Sequence, residues 1–298
     1  MQTLFTLLRE NAYLDTVKRL QLPHLVRLLD DESPVVRAEV LTAMEGIGPS
    51  LDKELESLGI HLSRNESAPI QHLLDKGRRK EFRSAWRGWF TMNGDKQRLE
   101  SALQTIVALQ DGSTAALELP DLLDEFADTY RQRTPVPDAL GLSQFLFRKD
   151  GLRGAEQTDY LNPLNSNLVY VIREKRGLPI SLACVFLLVG HRLGLAIEGC
   201  NFPGHFLVIA PLESKRVLVD CYNQGRMIDE SDLSSIDARV SMKDLLRLEC
   251  RADDIVARVL RNLVNAYNQT GNPANARLMT EALSMMASEV SPSTRQNL

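Results

Sequence analysis

The stretch Arg176–Val208, RGLPISLACVFLLVGHRLGLAIEGCNFPGHFLV, most limits what this chain can fold into. Gly177 and Pro179 mark a helix start, because proline fits the first helical turn and glycine the bend before it. Nearly every residue from Ile180 to Leu193 is apolar. A run so poor in polar groups, yet only about four turns long, predicts a buried central helix and is too short for a membrane span. Gly194 supplies the left-handed stop. Leu195–Glu198 then reads as a short strand. After the turn Asn201-Phe202-Pro203-Gly204, a second strand is expected to open with His205 and continue to Ile209. A third runs from Arg216 to Asp220 and is closed by Asn223-Gln224-Gly225. The architecture must therefore accommodate a buried helix, a strand carrying histidine and a strand ending in aspartate.

At 298 residues the chain has room for one large domain or two smaller ones. Its net charge of −4 gives no global reason to expect nucleic acid or an anionic membrane as partner. The segment MQTLFTLLRENAYLD lacks a basic n-region, a long apolar core and a small-residue cleavage site, so no secretory signal is expected. The cysteines, Cys184, Cys200, Cys221 and Cys250, form no CxxC pair and no zinc-ligand spacing with histidine. Reduced thiols in a cytoplasmic protein, with no metal and no cofactor, are the expectation.

The flanks read as helical. Residues 3–48 contain an acidic turn, Asp30-Asp31-Glu32, followed by Ser33 as cap and Pro34 at the first helical position. Val36, Val40, Ala43 and Met44 recur on one face. The pattern resembles one HEAT repeat, but no second copy follows at the roughly 40-residue period of such arrays, so a lone hairpin is expected. Residues 60–75 are polar and interrupted by Pro69, which suggests a loop or short helix. Lys76–Trp89 is basic and interleaved with Phe82, Trp86 and Trp89. Cations among aromatics can grip nucleic acid, yet the 4 and 3 spacing puts the rings on one face, and an amphipathic helix with a solvated basic side is the better reading. Further helices are expected over 95–110, 120–133, 138–148 and 168–175, with Asn165 or Ser166 capping the last. The chain closes with helices at 241–247, 253–267 and 274–287; the last pair resembles one tetratricopeptide-type unit, and residues from Glu289 onward read as frayed.

As chemistry, His205 and Asp220 on neighbouring strands offer an imidazole oriented by a carboxylate, two-thirds of a nucleophilic triad. The bland alternative is a polar histidine at a strand edge. No Gly-rich phosphate loop, HExxH or GxSxG is present.

Several pieces in order, Gly151-Leu152-Arg153-Gly154, Asp159-Tyr160 with Asn165-Ser166, Arg176–Leu182, Glu198-Gly199, Phe202–Val208 and Asp220–Arg226, carry a further reading. Residues 95–228 resemble the SirB-type branch of the transglutaminase-like superfamily. The resemblance implies an α+β fold with a papain-like core: a central helix packed on a small antiparallel sheet, cysteine at the helix start, histidine and aspartate on successive strands. His205 and Asp220 fit the last two roles. The first is where the chain departs, for Gly177-Leu178-Pro179 places proline where the superfamily carries its nucleophilic cysteine. The implied division is 1–94 as a helical N-terminal region, 95–235 as the core and 236–298 as a helical hairpin. The leading functional reading is a regulatory or binding module that takes a protein or peptide partner, with a cleft around His205, Asp220, Ser181, Asn165, Ser166 and Arg226. The alternative is a hydrolase or acyltransferase that uses His205 and Asp220 with Ser181 or Cys184 as nucleophile.

Overall fold

A computed structural model describes residues 21–47, 51–60, 62, 64–148, 151–202, 204–213, 215–228, 241–245 and 250–289. Residues 3–20 and 48 of the helical stretch expected over 3–48, Pro203 of the expected turn, the end of the helix expected at 241–247 and the tail from 290 lie outside these residues. Helix α1 (21–27) leads into α2 (Pro34–Glu45), where Ser33 Oγ accepts from the Val36 N–H and Pro34 occupies the first turn. After α3 (Leu51–Ser57) comes α4 (Arg64–Trp89), which runs straight through the expected break. Pro69 sits exposed near the start of this 26-residue helix, so its missing N–H removes one bond close to an end. The long buried stripe that follows, Ile70, Leu73, Leu74, Phe82, Trp86 and Trp89, outweighs that loss.

The basic stretch on α4 is an amphipathic helix. Phe82, Trp86 and Trp89 are buried and stack in sequence, with ring centroids 5.3 and 5.1 Å apart. Among the cations on the other side, Arg78 forks onto Asp52 at 2.9 and 3.0 Å and reaches the Gln110 carbonyl, and Arg83 meets Glu281 at 2.9 Å.

Gly112, at φ 95°, separates α5 (Asp95–Asp111) from α6 (Ser113–Arg133). Helix α6 therefore starts seven residues before the Pro120-Asp121 signal and passes through the proline, because Ala116, Leu119 and Leu123 bury on the same face. Helix α7 (Ala139–Phe147) is capped by Asp138. Strand β1 (Arg153–Gly154) then pairs in parallel with β2 (Arg176–Gly177), and α8 (Leu168–Glu174) lies between them. The cap of α8 is Asn167, whose Oδ1 accepts from the Tyr170 N–H at 3.1 Å. Asn165 and Ser166 belong instead to the short 3-10 turn Pro163–Ser166.

Helix α9 (Pro179–Arg192) forms over the expected residues, and every one from Pro179 to Gly190 is buried. It is the centre of the main hydrophobic core, packing against α6, α7, α8 and the sheet; Phe186 meets Phe147 edge-on at 5.8 Å. Gly194 at φ 73° turns the chain away. The sheet is an antiparallel meander of β3 (Glu198–Cys200), β4 (Leu207–Leu212), β5 (Lys215–Asp220) and β6 (Arg226–Ile228). Two strands begin later than their sequence suggests: Leu195–Ile197 is irregular, and His205 lies in the turn ahead of β4. The apolar run Leu195-Ala196-Ile197 reads as strand, but it has no ladder partner among the described residues, and Ile197 is spent packing against Gly190 of α9.

The penultimate helix (Ala252–Gln269) and closing helix (Pro273–Glu289) form an antiparallel hairpin. The closing helix reaches back to α4, where the Trp86 indole donates to the Ala282 carbonyl. The whole is α+β, a small sheet and central helix within helical extensions. Because Trp86 joins the ring stack to this contact, Trp86→Ala is expected to cost ~3–5 kcal/mol in chemical denaturation with little change in slope; a loss under about 1 kcal/mol shows that the stack does not hold this layer.

Candidate functional site

The site gathers where β5 ends. Asp220 is its fixed point, with only 3% of its side chain exposed. Its Oδ1 accepts from the backbone N–H groups of Tyr222 and Asn223, both at 3.1 Å, and its Oδ2 from Asn223 Nδ2 at 2.7 Å. This is the turn an aspartate builds from its own side chain, and it fixes the carboxylate before any partner arrives. Burial pushes the Asp220 carboxyl up, but the contact with His205 and the Asn223 bonds outweigh it and leave the group below the usual carboxylate range.

His205 meets this carboxylate from the turn ahead of β4. Its Nε2 lies 2.9 Å from Asp220 Oδ1, although the ring N–H is not aimed squarely at the oxygen. The ring is 19% exposed, and with Nε2 turned toward the carboxylate, Nδ1 is the nitrogen left to meet anything bound. The expected pair is thus brought together, with histidine on the turn rather than in the strand.

Two aromatic rings complete this corner. Tyr222 stands edge-on to the imidazole at 6.2 Å, and Tyr160 edge-on to Tyr222 at 6.5 Å. The Tyr222 hydroxyl donates to the Ala155 carbonyl at 2.6 Å, which lays the ring flat across β1. Only glycine fits beneath it: a Cβ on Gly154 would stand 2.5 Å from the ring. Tyr222 and Asn223 were not among the expected site residues. The signal for them was the Asp-x-Tyr-Asn order after β5, where an aspartate readily bonds the backbone two and three residues on.

The remaining candidates lie apart from the pair in differing degrees. Arg226 is exposed on β6 and stands opposite Asp220 in the sheet register. Asn165 and Ser166 are buried; Asn165 Nδ2 donates to the Asp159 carbonyl at 2.5 Å, which shapes the loop carrying Tyr160. Ser181 is buried in the first turn of α9, below Gly177, and its Oγ has no hydrogen-bond partner among the described residues. No hydrogen bond joins it to His205. Cys184 is one turn deeper and fully enclosed, and burial pushes its thiol far up. Burial likewise raises Cys221, takes Cys200 to about 11 and Cys250 to about 12. Among the described residues no group of three or more His, Cys, Asp or Glu side chains is placed to hold a metal ion, and no helix is long and apolar enough to cross a membrane.

The transglutaminase-like superfamily model matches residues 114–261, and over that span the chain belongs to this superfamily. Its relatives include UPF0162 proteins, the SirB-type family. The chain is similar to a UPF0162 protein of Xylella fastidiosa (strain Temecula1), 34% identical over 139 residues, which cover 43% of this chain and 48% of that protein. A UPF0162 protein of Pseudomonas aeruginosa is 27% identical over 169 residues, covering 54% of this chain and 60% of its own length. F-box only protein 21 of Mus musculus is 27% identical over 144 residues, 43% of this chain and 21% of that protein. The match thus spans about half the length of the Xylella relative. No solved structure matches the chain.

Because the folded value of Asp220 is lowered, its ionised form adds stability that is present above the ordinary aspartate range and lost as pH falls through the folded value. Asp220→Asn is therefore expected to be less stable than the parent near neutral pH, with the gap in denaturation midpoint closing once pH drops below about 4. A gap that stays constant in acid shows that the carboxylate charge contributes nothing.

Proposed function

We propose that this transglutaminase-like domain works as a binding or regulatory module in the cytoplasm, taking a protein or peptide segment at the His205–Asp220 corner without forming a covalent acyl intermediate. The observation that carries the reading is the start of α9: Pro179 fills the first helical position, which offers no nucleophile to the imidazole. The nearest thiol on that helix, Cys184, is sealed in the core, where its thiolate is strongly disfavoured. In the proposed role His205 and the Tyr222 and Tyr160 rings provide one imidazole with a free nitrogen and two flat apolar faces, a combination suited to a peptide backbone or an aromatic side chain. The net charge of −4 argues against nucleic acid as the partner.

One observation favours a second reading. His205 turns one ring nitrogen to a buried carboxylate and leaves the other open, and an imidazole oriented by an acid in this way can serve as a general base. An enzyme would then use Ser181, a relocated Cys184 or a bound water.

Labelling separates the two. Under native conditions near pH 8, iodoacetamide and a fluorophosphonate are expected to modify no single residue stoichiometrically, and the thiols to react on the order of a hundredfold more slowly than free cysteine. In denaturant the same thiols should react fully. Stoichiometric labelling of Ser181 or Cys184 that disappears in His205→Ala overturns the binding-module reading in favour of the enzyme.

A further inference from the structure

We propose that Arg258 is a positioning residue: from the penultimate helix it clamps the turn ahead of β4 and thereby holds the His205 ring against Asp220. The proposal rests on the reading of that pair as the working part of the site.

His205 is not held by the sheet, since β4 begins only at Leu207. Among the described residues of the turn the backbone bonds are local: Phe202 N–H to the Cys200 carbonyl at 2.8 Å and His205 N–H to the Phe202 carbonyl at 3.2 Å. Gly204 adds freedom at φ 74°. Arg258 supplies a tie to another element. Its Nη1 donates to the Phe202 carbonyl at 2.8 Å and to Asn201 Oδ1, and its guanidinium carbon sits 5.6 Å from the Phe206 ring centroid. The Phe202 carbonyl therefore accepts from both the histidine's own N–H and the guanidinium. A charged donor makes the stronger bond, and a planar fork can serve two acceptors with little loss of rotamer freedom.

The anchor behind the clamp is itself fixed. The Ala252 N–H at the helix start donates to Asp95 Oδ2 at 2.9 Å, and Arg98 of α5 meets Asp253 at 2.8 Å. Ile255, one turn before Arg258, packs against Gly199 of β3, where a Cβ would come within 3.1 Å of it. The C-terminal hairpin thus reaches the histidine-bearing turn through the Arg258 side chain.

The test reads the Asp220 carboxyl by carbon NMR titration of the full chain, its signal assigned from Asp220→Asn. The groups around it are His205 from the turn, Tyr222 and Asn223 from its own turn, Cys221 beside it and Arg226 across the register. If the clamp places His205, Arg258→Met is expected to raise the proton affinity of Asp220 about threefold or more, and to add nothing in the His205→Ala background. An equal rise in both backgrounds marks a direct effect of the lost charge, and no rise in either marks a ring held by other means; each overturns the proposal. Should Arg258→Met fail to fold, Arg258→Gln removes the same guanidinium with a polar side chain, and the same cycle carries the same expected and overturning results. The labelling experiment on Ser181 and Cys184 is independent of this outcome, so the two readings fail separately.

Discussion

A helix with no face left for water governs this molecule. From Pro179 to Gly190 nothing on α9 reaches solvent, so every neighbour has to offer apolar surface, and the helix ends have to be managed by other means. At the far end Arg192 donates to Glu100 at 2.8 Å through both terminal nitrogens and also pairs with Asp124, which places a satisfied cation at the negative pole of the helix. At the near end the chain passes so close that only glycine fits: a Cβ on Gly177 would stand 2.9 Å from both methyls of Val171. The hidden hydroxyl of Ser181 is a buried polar group without a partner among the described residues.

The site inherits its geometry from that packing. Strand β4 lies on α9, β5 pairs with β4, and the last residue of β5 carries the carboxylate, so Asp220 is placed by the core and not by a loop. The imidazole arrives differently, on a turn outside the ladder. A rigid acid and a more loosely tethered base make an arrangement whose alignment depends on what secures the turn. The imidazole–carboxylate pair therefore stands beside a fold whose central helix starts on proline, and fold alone does not define the chemistry at such a corner.

Much of this was legible in the amino-acid order, because the strongest signals were local. The long apolar run between Pro179 and Gly194 and the ring spacing of Phe82, Trp86 and Trp89 gave elements that the structure has. The pairing of His205 with Asp220 was suggested by their place on neighbouring expected strands and strengthened by family resemblance, since spacing along the chain says nothing of distance across it. Breaks were over-read at Pro69 and Pro120, where the buried stripe that follows Pro69, and burial on both sides of Pro120, exceed the loss of one backbone bond. Strand starts were set too early at Leu195 and His205, because ladder bonds depend on a partner strand and not on composition. Asn167, not Asn165 or Ser166, caps α8, a shift of one or two positions within a run where three side chains could each serve. Arg258 was invisible, for its targets lie over 50 positions away in sequence.

The stacking of Phe82, Trp86 and Trp89 has a spectroscopic corollary. The chain contains two tryptophans, and both belong to that one stack. Intrinsic emission is therefore a reporter of the layer that α4 shares with the closing helix, and it is blind to the imidazole turn. A melting curve followed by fluorescence describes one side of the protein, and its agreement with a second probe on the sheet becomes a measure of how cooperatively the two sides unfold.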